Sequence, residues 1–299
     1  MSNGFEGKVA VVTGAGGGLG RSHALALAKL GAKVVVNDLG GNVHGDGKSD
    51  MASKVVEEIK AAGGEAIANH ASVSDKAGAK SIIQDAVDHF GGIDILVNNA
   101  GILRDKSFKK MTLDEIDLVV QVHLLGTFYV THAAWPIMYE QNYGRIVFTS
   151  SGSGIFGNFG QANYGAAKMG MLGLMNVLAK EGASRNIRVN CLSPGAATRM
   201  TASIPGRDID PNNPPADRGP ALVTPAVLLM CAEDAPTGKT IQAAGGRFAS
   251  VGVFSNKGVS FGVDASFEKL HEAKDVLLDM SEAKEGNQRR RPAAKEEAQ

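Results

Sequence analysis

Tyr164 and Lys168 carry the clearest chemical signal in this chain, because their spacing places both side chains on one face of a helix. An unperturbed tyrosine has a pKa of about 10 and is a poor base at neutral pH. A neighbouring ammonium group favours the phenolate and lowers that pKa, which makes proton transfer to or from an alcohol or ketone feasible. The hydroxyl of Ser151, thirteen residues before Tyr164, could hold the substrate oxygen. A tyrosine and a lysine at this spacing also occur by chance, so the rest of the chain decides the function.

A glycine-rich turn near the N-terminus predicts a nucleotide phosphate site. Gly14, Gly18 and Gly20 follow the apolar run at residues 9–12 and precede a helical pattern. Glycine permits the tight turn, leaves room for a pyrophosphate beside Leu19, and lets the helix pack close to the strand. The phosphates would lie at the helix N-terminus, where free N–H groups and the helix dipole favour anions. The strand–turn–helix context makes this motif more specific than a glycine cluster alone.

Asp38 ends the second predicted strand and predicts the choice of cofactor. An acidic residue at this place accepts hydrogen bonds from the adenosine ribose hydroxyls, and its charge would repel a 2′-phosphate. No arginine follows it directly, so we predict NAD rather than NADP. The alternative is that Asp38 is only an acidic turn residue.

Two further segments are candidates for contacts with the cofactor. Ser72 and Val73 follow the third predicted strand and could contact the adenine. Asn98 and Asn99 end the fourth predicted strand, where buried amides must find hydrogen-bond partners. We expect them to join neighbouring strands, and Asn99 to flank the cofactor.

Short β-branched runs alternate with longer helical patterns up to residue 243. The predicted strands lie at residues 9–12, 33–37, 65–68, 94–97, 145–148, 187–192 and 240–243, and the predicted helices at 21–30, 49–62, 75–90, 113–140, 162–182 and 220–232. Strands that are apolar on both faces suit a sheet covered by helices on each side. We therefore predict an α/β fold, a Rossmann-type doubly wound parallel sheet of about seven strands with helices on both faces. It forms a single catalytic domain over residues 1–246.

Three segments interrupt or follow this alternation. Residues 199–220 are rich in Pro, Asp, Asn and Gly and follow a strand, which favours a mobile lid over an inert surface insertion. Residues 247–280 are a C-terminal extension, whose phenylalanines suggest packing against another subunit or over the substrate entrance. Residues 281–299 have almost no large apolar side chains and are expected to be a disordered tail.

The composition argues against several classes of function. The chain has 299 residues, with Lys plus Arg equal to Asp plus Glu at 31 each, so neither nucleic acid nor an anionic membrane is an expected partner. No apolar run reaches the roughly 20 residues of a membrane span. The two cysteines and the histidines lack metal-ligand spacing, so no metal is predicted. The N-terminus lacks the apolar stretch of a signal peptide and the C-terminus lacks a peroxisomal address, so a cytoplasmic protein is expected.

Taken together, these motifs resemble the short-chain dehydrogenase/reductase family over residues 5–250. The residues that carry the resemblance are Thr13 to Gly20, Asn98 to Gly101, Ser151, Tyr164, Lys168 and Ser193 to Gly195. The resemblance implies that Tyr164 is the general acid/base, that Ser151 stabilises the substrate oxygen, and that Lys168 binds the nicotinamide ribose. It also implies that Pro194 and Gly195 lie beside the nicotinamide and Thr198 near its carboxamide.

His123 departs from the usual family pattern, which has an asparagine in this helix. The resemblance gives that asparagine a main-chain carbonyl that holds a water in a proton relay. The histidine could keep this backbone role with its ring packed, or its ring could titrate in the relay. We favour the passive role, since a single histidine in a buried helix is often structural.

Within the family, several segments are similar to the (3R)-hydroxyacyl-CoA dehydrogenase part of peroxisomal multifunctional enzymes; they include Asn98 to Asp105, Val122 to Leu124 and Gly157 to Tyr164. The resemblance implies a lipid substrate, either a (3R)-3-hydroxyacyl-CoA or a 17β-hydroxysteroid. It also implies a homodimer or homotetramer built on the long helices 113–140 and 162–182. A nucleotide-binding regulator without catalysis is a distant alternative, which the intact Ser151, Tyr164 and Lys168 disfavour.

Overall fold

A computed structural model describes residues 4–47, 49–203, 210, 213 and 215–285 of the chain. They divide into two compact units, the first ending at Ser250 and the second beginning at Val251.

The first unit contains an eight-stranded sheet with the strand order β3-β2-β1-β4-β5-β6-β7-β8. The strands are β1 Val9–Thr13, β2 Lys33–Asn37, β3 Ala66–Asn69, β4 Ile95–Asn98, β5 Gly144–Thr149, β6 Ile187–Gly195, β7 Thr240–Ala244 and β8 Arg247–Val251. Strands β1 to β7 pair in parallel with their neighbours. The predicted Rossmann-type doubly wound sheet is confirmed.

Strand β8 is an addition to the seven predicted strands. Gly245 and Gly246 join it to β7, with φ angles of +55° and +75° that favour glycine. A connection of two such residues makes an antiparallel hairpin. The sheet therefore continues past residue 246, where we ended the catalytic domain, and takes in the first residues of the expected extension.

The described residues of the first unit form nine helices. They are α1 Gly18–Lys29, α2 Met51–Ala61, α3 Lys76–Phe90, α4 Leu113–Val120, α5 Gly126–Glu140, α6 Gly152–Phe156, α7 Ala162–Glu181, α8 Arg199–Ala202 and α9 Thr224–Cys231. The predicted helix 113–140 is correct in extent, but a π-helical turn at Gln121–Leu125 divides it. Helices α6 and α8 were not predicted.

The core lies in two layers, one on each face of the sheet. Ala10 and Val12 of β1 face one apolar cluster, with side chains of α1, α2 and α9. Val9 and Val11 face the other, with side chains of α3, α5 and α7. The alternation within one fully buried strand explains why the strands are apolar on both faces.

Strand order reverses between β1 and β4, which lie side by side at the centre of the sheet. In such sheets, ligands bind beyond the carboxyl ends of the strands at this point. Strands β1, β2, β4, β5 and β6 all end at this edge, so their topology brings together the polar residues that follow each of them.

The second unit contains the antiparallel pair β9 Phe254–Ser255 and β10 Lys284–Glu285, with helices α10 Phe267–Glu272 and α11 Lys274–Leu278. Phe254 and Phe267 are exposed. Residues 281–285, where the expected disordered tail begins, include β10, and the tail stays a prediction. Residues 286–299 lie outside the described residues.

The predicted lid at 199–220 is described only in part. Helix α8 and a 3₁₀ turn at Pro220–Leu222 form its two ends. Residues 204–209, 211, 212 and 214 lie outside the described residues, so the lid stays a prediction. Across the described chain, no helix has the length and apolar character needed to cross a membrane.

Candidate active site and cofactor site

A cavity of about 910 Å³ runs along the carboxyl edge of the sheet. The predicted site residues that line it are Gly14, Gly18, Leu19, Asp38, Ser72, Val73, Asn99, His123, Ser151, Tyr164, Lys168, Pro194, Gly195 and Thr198. Residues from eight segments of the chain thus meet in one cavity. Gly20 does not line it and lies behind the turn.

The glycine-rich turn needs its glycines because the backbone passes too close for side chains. A Cβ on Gly20 would lie 2.2 Å from the carbonyl oxygen of Gly14, and a Cβ on Gly14 would lie 2.7 Å from the Cα of Ala100. Gly14 also has a φ of +63°, which favours glycine. Gly20 therefore acts by letting the turn close.

Asn99 holds this turn in place from the end of β4. Its side-chain Nδ2 donates to the carbonyl oxygens of Thr13, at 3.2 Å, and Gly14, at 3.0 Å. Its backbone N–H donates to the hydroxyl of Thr13 at 3.0 Å. Asn98 instead donates to the hydroxyl of Thr131 at 3.1 Å. Asn99 thus shapes the cavity wall as well as lining it.

The N-terminus of α1 is available to an anion. Gly17 is the residue before the first turn, and it supplies no side-chain cap. The first turn also contains no acidic residue. The first N–H groups of a helix have no partner inside the helix, so this end attracts a negative group.

Asp38 binds backbone N–H groups on both sides of the turn. One carboxylate oxygen accepts from Gly16 at 2.8 Å, and the other accepts from Gly40 at 2.7 Å. Asp38 therefore helps to hold the turn. A carboxylate has about four acceptor positions, so the same oxygens can still accept from ribose hydroxyls.

Ser151, Tyr164 and Lys168 converge where β5 ends. Ser151 precedes α6, and its hydroxyl accepts from the backbone N–H of Ser153 at 3.1 Å. Tyr164 and Lys168 lie one turn apart in α7, and both are buried. The Lys168 Nζ donates to the carbonyl oxygen of Thr149 and lies 5.5 Å from the centre of the Tyr164 ring. The predicted face of the helix is thus the one that meets the cavity.

Burial is the largest influence on the pKa of both Tyr164 and Lys168. Burial raises the Tyr164 pKa, a hydrogen bond with Ser151 opposes the rise, and the charge of Asp105 adds to it. Burial also lowers the pKa of Lys168 to about 7. Desolvation disfavours the charged form of both groups.

His123 lies in the π-helical turn, with its ring buried beside Tyr164. Its ring meets that of Tyr164 edge-on, with centroids 5.1 Å apart. Its Nε2 lies 2.8 Å from the carbonyl oxygen of Ile102 and 3.1 Å from the backbone nitrogen of the same residue. A Cβ on Gly101 would lie 2.2 Å from the ring, so glycine is required there.

The surroundings of His123 favour the passive role. Burial, then the charge of Lys168, hold its pKa well below the usual value, although the bond to Ile102 opposes this. A ring that stays neutral cannot titrate near neutral pH. Its backbone carbonyl accepts from the hydroxyl of Thr127 at 2.7 Å and retains a second lone pair.

A polar chain beside Tyr164 was not predicted. Asn158 Nδ2 donates to Gln161 Oε1 at 2.9 Å, and Gln161 Nε2 donates to Asp105 Oδ2 at 2.6 Å. Asn158 and Gln161 both line the cavity. They lie in the segment before Tyr164 that we quoted only for resemblance, and spacing alone gave them no chemistry.

Apolar side chains form part of the cavity wall. Met200 lines the cavity, as do Leu103 and Val122. Phe156 and Phe159 do not line it and are 69% and 90% exposed.

The fold and the arrangement of the cavity residues indicate one class of protein, and the comparison with known proteins indicates the same class. The family model for short chain dehydrogenases matches residues 8–207. The chain belongs to this family and is an oxidoreductase.

Two relatives and one solved structure sharpen the comparison. A Mycobacterium tuberculosis protein named as a short-chain type dehydrogenase/reductase is 48% identical over 94% of this chain and 97% of its own length. Peroxisomal multifunctional enzyme type 2 of Mus musculus is 54% identical over 77% of this chain and 30% of its own length. The structure of the full-length Drosophila melanogaster enzyme of that name matches with a TM-score of 0.76 and 40% identity, over 94% of this chain and 47% of that chain. This chain therefore spans less than half the length of both multifunctional enzymes.

Proposed function

We propose that the protein interconverts a (3R)-3-hydroxyacyl-CoA and its 3-oxo form with NAD. The observation that carries this proposal is the meeting of Ser151, Tyr164 and Lys168 with the glycine-rich turn in one cavity. The similarity to the multifunctional enzymes supports the acyl-CoA substrate. Apolar cavity residues such as Leu103 and Met200 suit a fatty or sterol-derived side chain.

The described residues fit a nicotinamide dinucleotide. Gly14 lines the cavity and has no side chain to project from the turn. The N-terminus of α1 has no side-chain cap and no acidic residue in its first turn. Asp38 lies where the second strand ends and favours free ribose hydroxyls over a 2′-phosphate. We propose that the adenosine lies between Asp38 and Ser72–Val73, and the nicotinamide near Lys168 and Thr198. Pro194 and Gly195 would form the wall beside it.

When bound, the nicotinamide ring supplies the hydride acceptor or donor. Tyr164 moves the proton at the substrate hydroxyl, taking it during oxidation and returning it during reduction. Ser151 donates a hydrogen bond to the same oxygen and stabilises its developing negative charge. Lys168 is held by Thr149, which leaves two of its three N–H donors for cofactor hydroxyls. His123 supports the Tyr164 ring and keeps its own ring neutral.

We also propose that two or four copies associate through α5 and α7. Large apolar side chains on these helices are exposed in the single chain, among them Phe128 at 43% and Val177 at 52%. Burying such a surface removes apolar area from water. A Phe128→Glu variant that stays the size of the wild type in light scattering would contradict this interface.

The test compares NADH formation from a (3R)-3-hydroxyacyl-CoA, its (3S) epimer and a 17β-hydroxysteroid at matched concentrations. We expect the highest kcat/KM for the (3R) thioester and a loss of that rate when NADP replaces NAD. A higher kcat/KM for the steroid would favour the alternative, a 17β-hydroxysteroid dehydrogenase. No turnover of any substrate, with dinucleotide binding retained, would favour a regulator.

A further inference from the structure

Arg199 places a guanidinium group over the glycine-rich turn, although it comes from a distant part of the chain. Its Nη2 lies 3.2 Å from where a Cβ on Gly17 would stand. Gly17 is the residue that precedes α1. Arg199 therefore stands at the end of α1 that attracts an anion, and it lines the same cavity.

The start of α8 fixes this position. The Thr198 hydroxyl accepts from the backbone N–H of Thr201 at 3.2 Å, and the Thr201 hydroxyl accepts from the Thr198 N–H at 2.7 Å. This reciprocal cap sets the direction of the first helical residue, which is Arg199. The methyl group of Thr198 also packs 3.5 Å from the Cβ position of Gly18. The backbone below the arginine is thus tied to the turn.

Arg199 has no anionic partner among the residues that the structure describes. Its Nη1 lies 3.5 Å from the sulfur of Met51, which is a weak acceptor. By contrast, exposed Arg21 on the same helix α1 is paired with Glu58. A guanidinium next to a helix N-terminus, with only a thioether as partner, has donors to spare for an anion.

We propose that Arg199 binds a phosphate of the dinucleotide at the N-terminus of α1. The inference rests on the proposed dinucleotide function. A guanidinium matches the geometry of phosphate oxygens and can form two parallel hydrogen bonds with them. The phosphate is either one of the pyrophosphate pair or the 2′-phosphate of NADP. Both would lie near this turn, because Asp38, which we place at the ribose, lies 2.8 Å from the Cβ position of Gly16. The charge of Asp38 disfavours the second.

The experiment titrates NADH and NADPH into the wild type, Arg199→Gln, Arg199→Lys and Lys54→Gln, following nucleotide fluorescence without substrate. Lys54→Gln removes an equal charge from the exposed face of the neighbouring α2, and adenosine competes as a ligand without phosphate. We expect Arg199→Gln to weaken NADH about ten- to hundredfold, Arg199→Lys to weaken it less, and Lys54→Gln to match the wild type. Adenosine competition should not change. The loss should shrink at high salt, because screening weakens an exposed charge pair.

The outcomes separate the two phosphates and the two proposals. Equal losses for NADH and NADPH assign Arg199 to the pyrophosphate, and a loss for NADPH alone assigns it to the 2′-phosphate. Unchanged binding of both in Arg199→Gln, or an equal loss of adenosine binding, overturns the inference. A wild type that binds neither dinucleotide overturns the proposed function itself.

Discussion

Lys168 and Arg145 are both buried basic residues at strand β5, but their N–H donors have different numbers of partners. Arg145 belongs to β5, and Lys168 binds its last residue. Lys168 is 2% exposed and Arg145 is fully buried. Arg145 donates to four backbone carbonyl oxygens at 2.8–2.9 Å, those of Gly144, Asn186, Ala232 and Glu233. Lys168 donates to one among the described residues, that of Thr149.

The difference separates a cation whose donors are used within the fold from one that keeps donors for a ligand. The N–H donors of Arg145 bind backbone carbonyl groups at the ends of the segments that it joins, so few donors remain for a ligand. Lys168 keeps free donors in a cavity, and burial lowers its pKa to about 7 because so little compensates its charge. A buried cation with unused donors at a sheet's carboxyl edge is what a binding site requires.

Replacing Arg145 should give the largest change in stability. Arg145→Met removes the guanidinium donors from four backbone carbonyl groups, of which those of Asn186 and Ala232 keep a backbone N–H donor, and should lower the free energy of unfolding by about 3–5 kcal/mol. Urea unfolding measures this loss, and the folded fraction should keep its turnover. An Arg145→Met protein as stable as the wild type would show that the comparison is wrong.

Lys168→Met should change stability little and reduce NADH affinity and turnover. Only one carbonyl loses its donor and a buried charge is removed, so the free energy of unfolding should change by less than about 1 kcal/mol. NADH affinity and turnover should both fall, because the donors for the cofactor are gone. A variant that unfolds like Arg145→Met, with NADH affinity intact, would make Lys168 structural.

His23 extends the comparison to a buried base with one partner. Its Nδ1 lies 2.9 Å from the Thr224 hydroxyl, its Nε2 has no partner among the described residues, and burial lowers its pKa to about 3. The unfolded chain binds a proton near pH 6.5 and the folded chain does not, so stability falls as pH drops from about 6.5 toward 3.

The measurement for His23 is urea unfolding across this pH range. The contribution of His23 should approach about 1.4 kcal/mol per pH unit. It should be absent in His23→Leu and present in His89→Leu, which changes an exposed histidine of α3. Parallel pH curves for His23→Leu and the wild type would count against a neutral buried ring.

His123→Asn should give the smallest effect. A ring held neutral by burial does not titrate in the working range, and the asparagine keeps the backbone carbonyl. The apparent pKa values in the pH profile of kcat should not change, while kcat itself falls less than about tenfold. A shift of an apparent pKa in that profile would show that the His123 ring titrates in the proton relay.

The sequence predicted the parts of the site that depend on local pattern. The glycine turn, the residues that end the strands and the Tyr164–Lys168 face each follow from a short stretch of chain, and topology then brings them to one edge. Seven strands were predicted for the same reason. Strand β8 was missed because its side chains lie at an exposed edge and show little apolar pattern.

The other parts of the site depend on contacts between distant segments. The Asp105–Gln161 bond joins residues 56 positions apart, and Arg199 reaches a turn more than 180 residues earlier in the chain. The burial that raises the Tyr164 pKa likewise depends on the whole fold. The π-helical turn at His123 is not visible in the helical spacing of apolar residues in the sequence.

The most direct measurement is of Tyr164→Phe beside the wild type, with NADH affinity and turnover of the (3R)-3-hydroxyacyl-CoA determined on the same preparation. The account predicts a kcat about 10²- to 10⁴-fold lower, with unchanged NADH affinity, because only the proton-transferring hydroxyl is removed. Turnover that survives in Tyr164→Phe would contradict Tyr164 as the general acid/base. A loss of NADH affinity equal to the loss of turnover would contradict the separation of chemistry from cofactor binding.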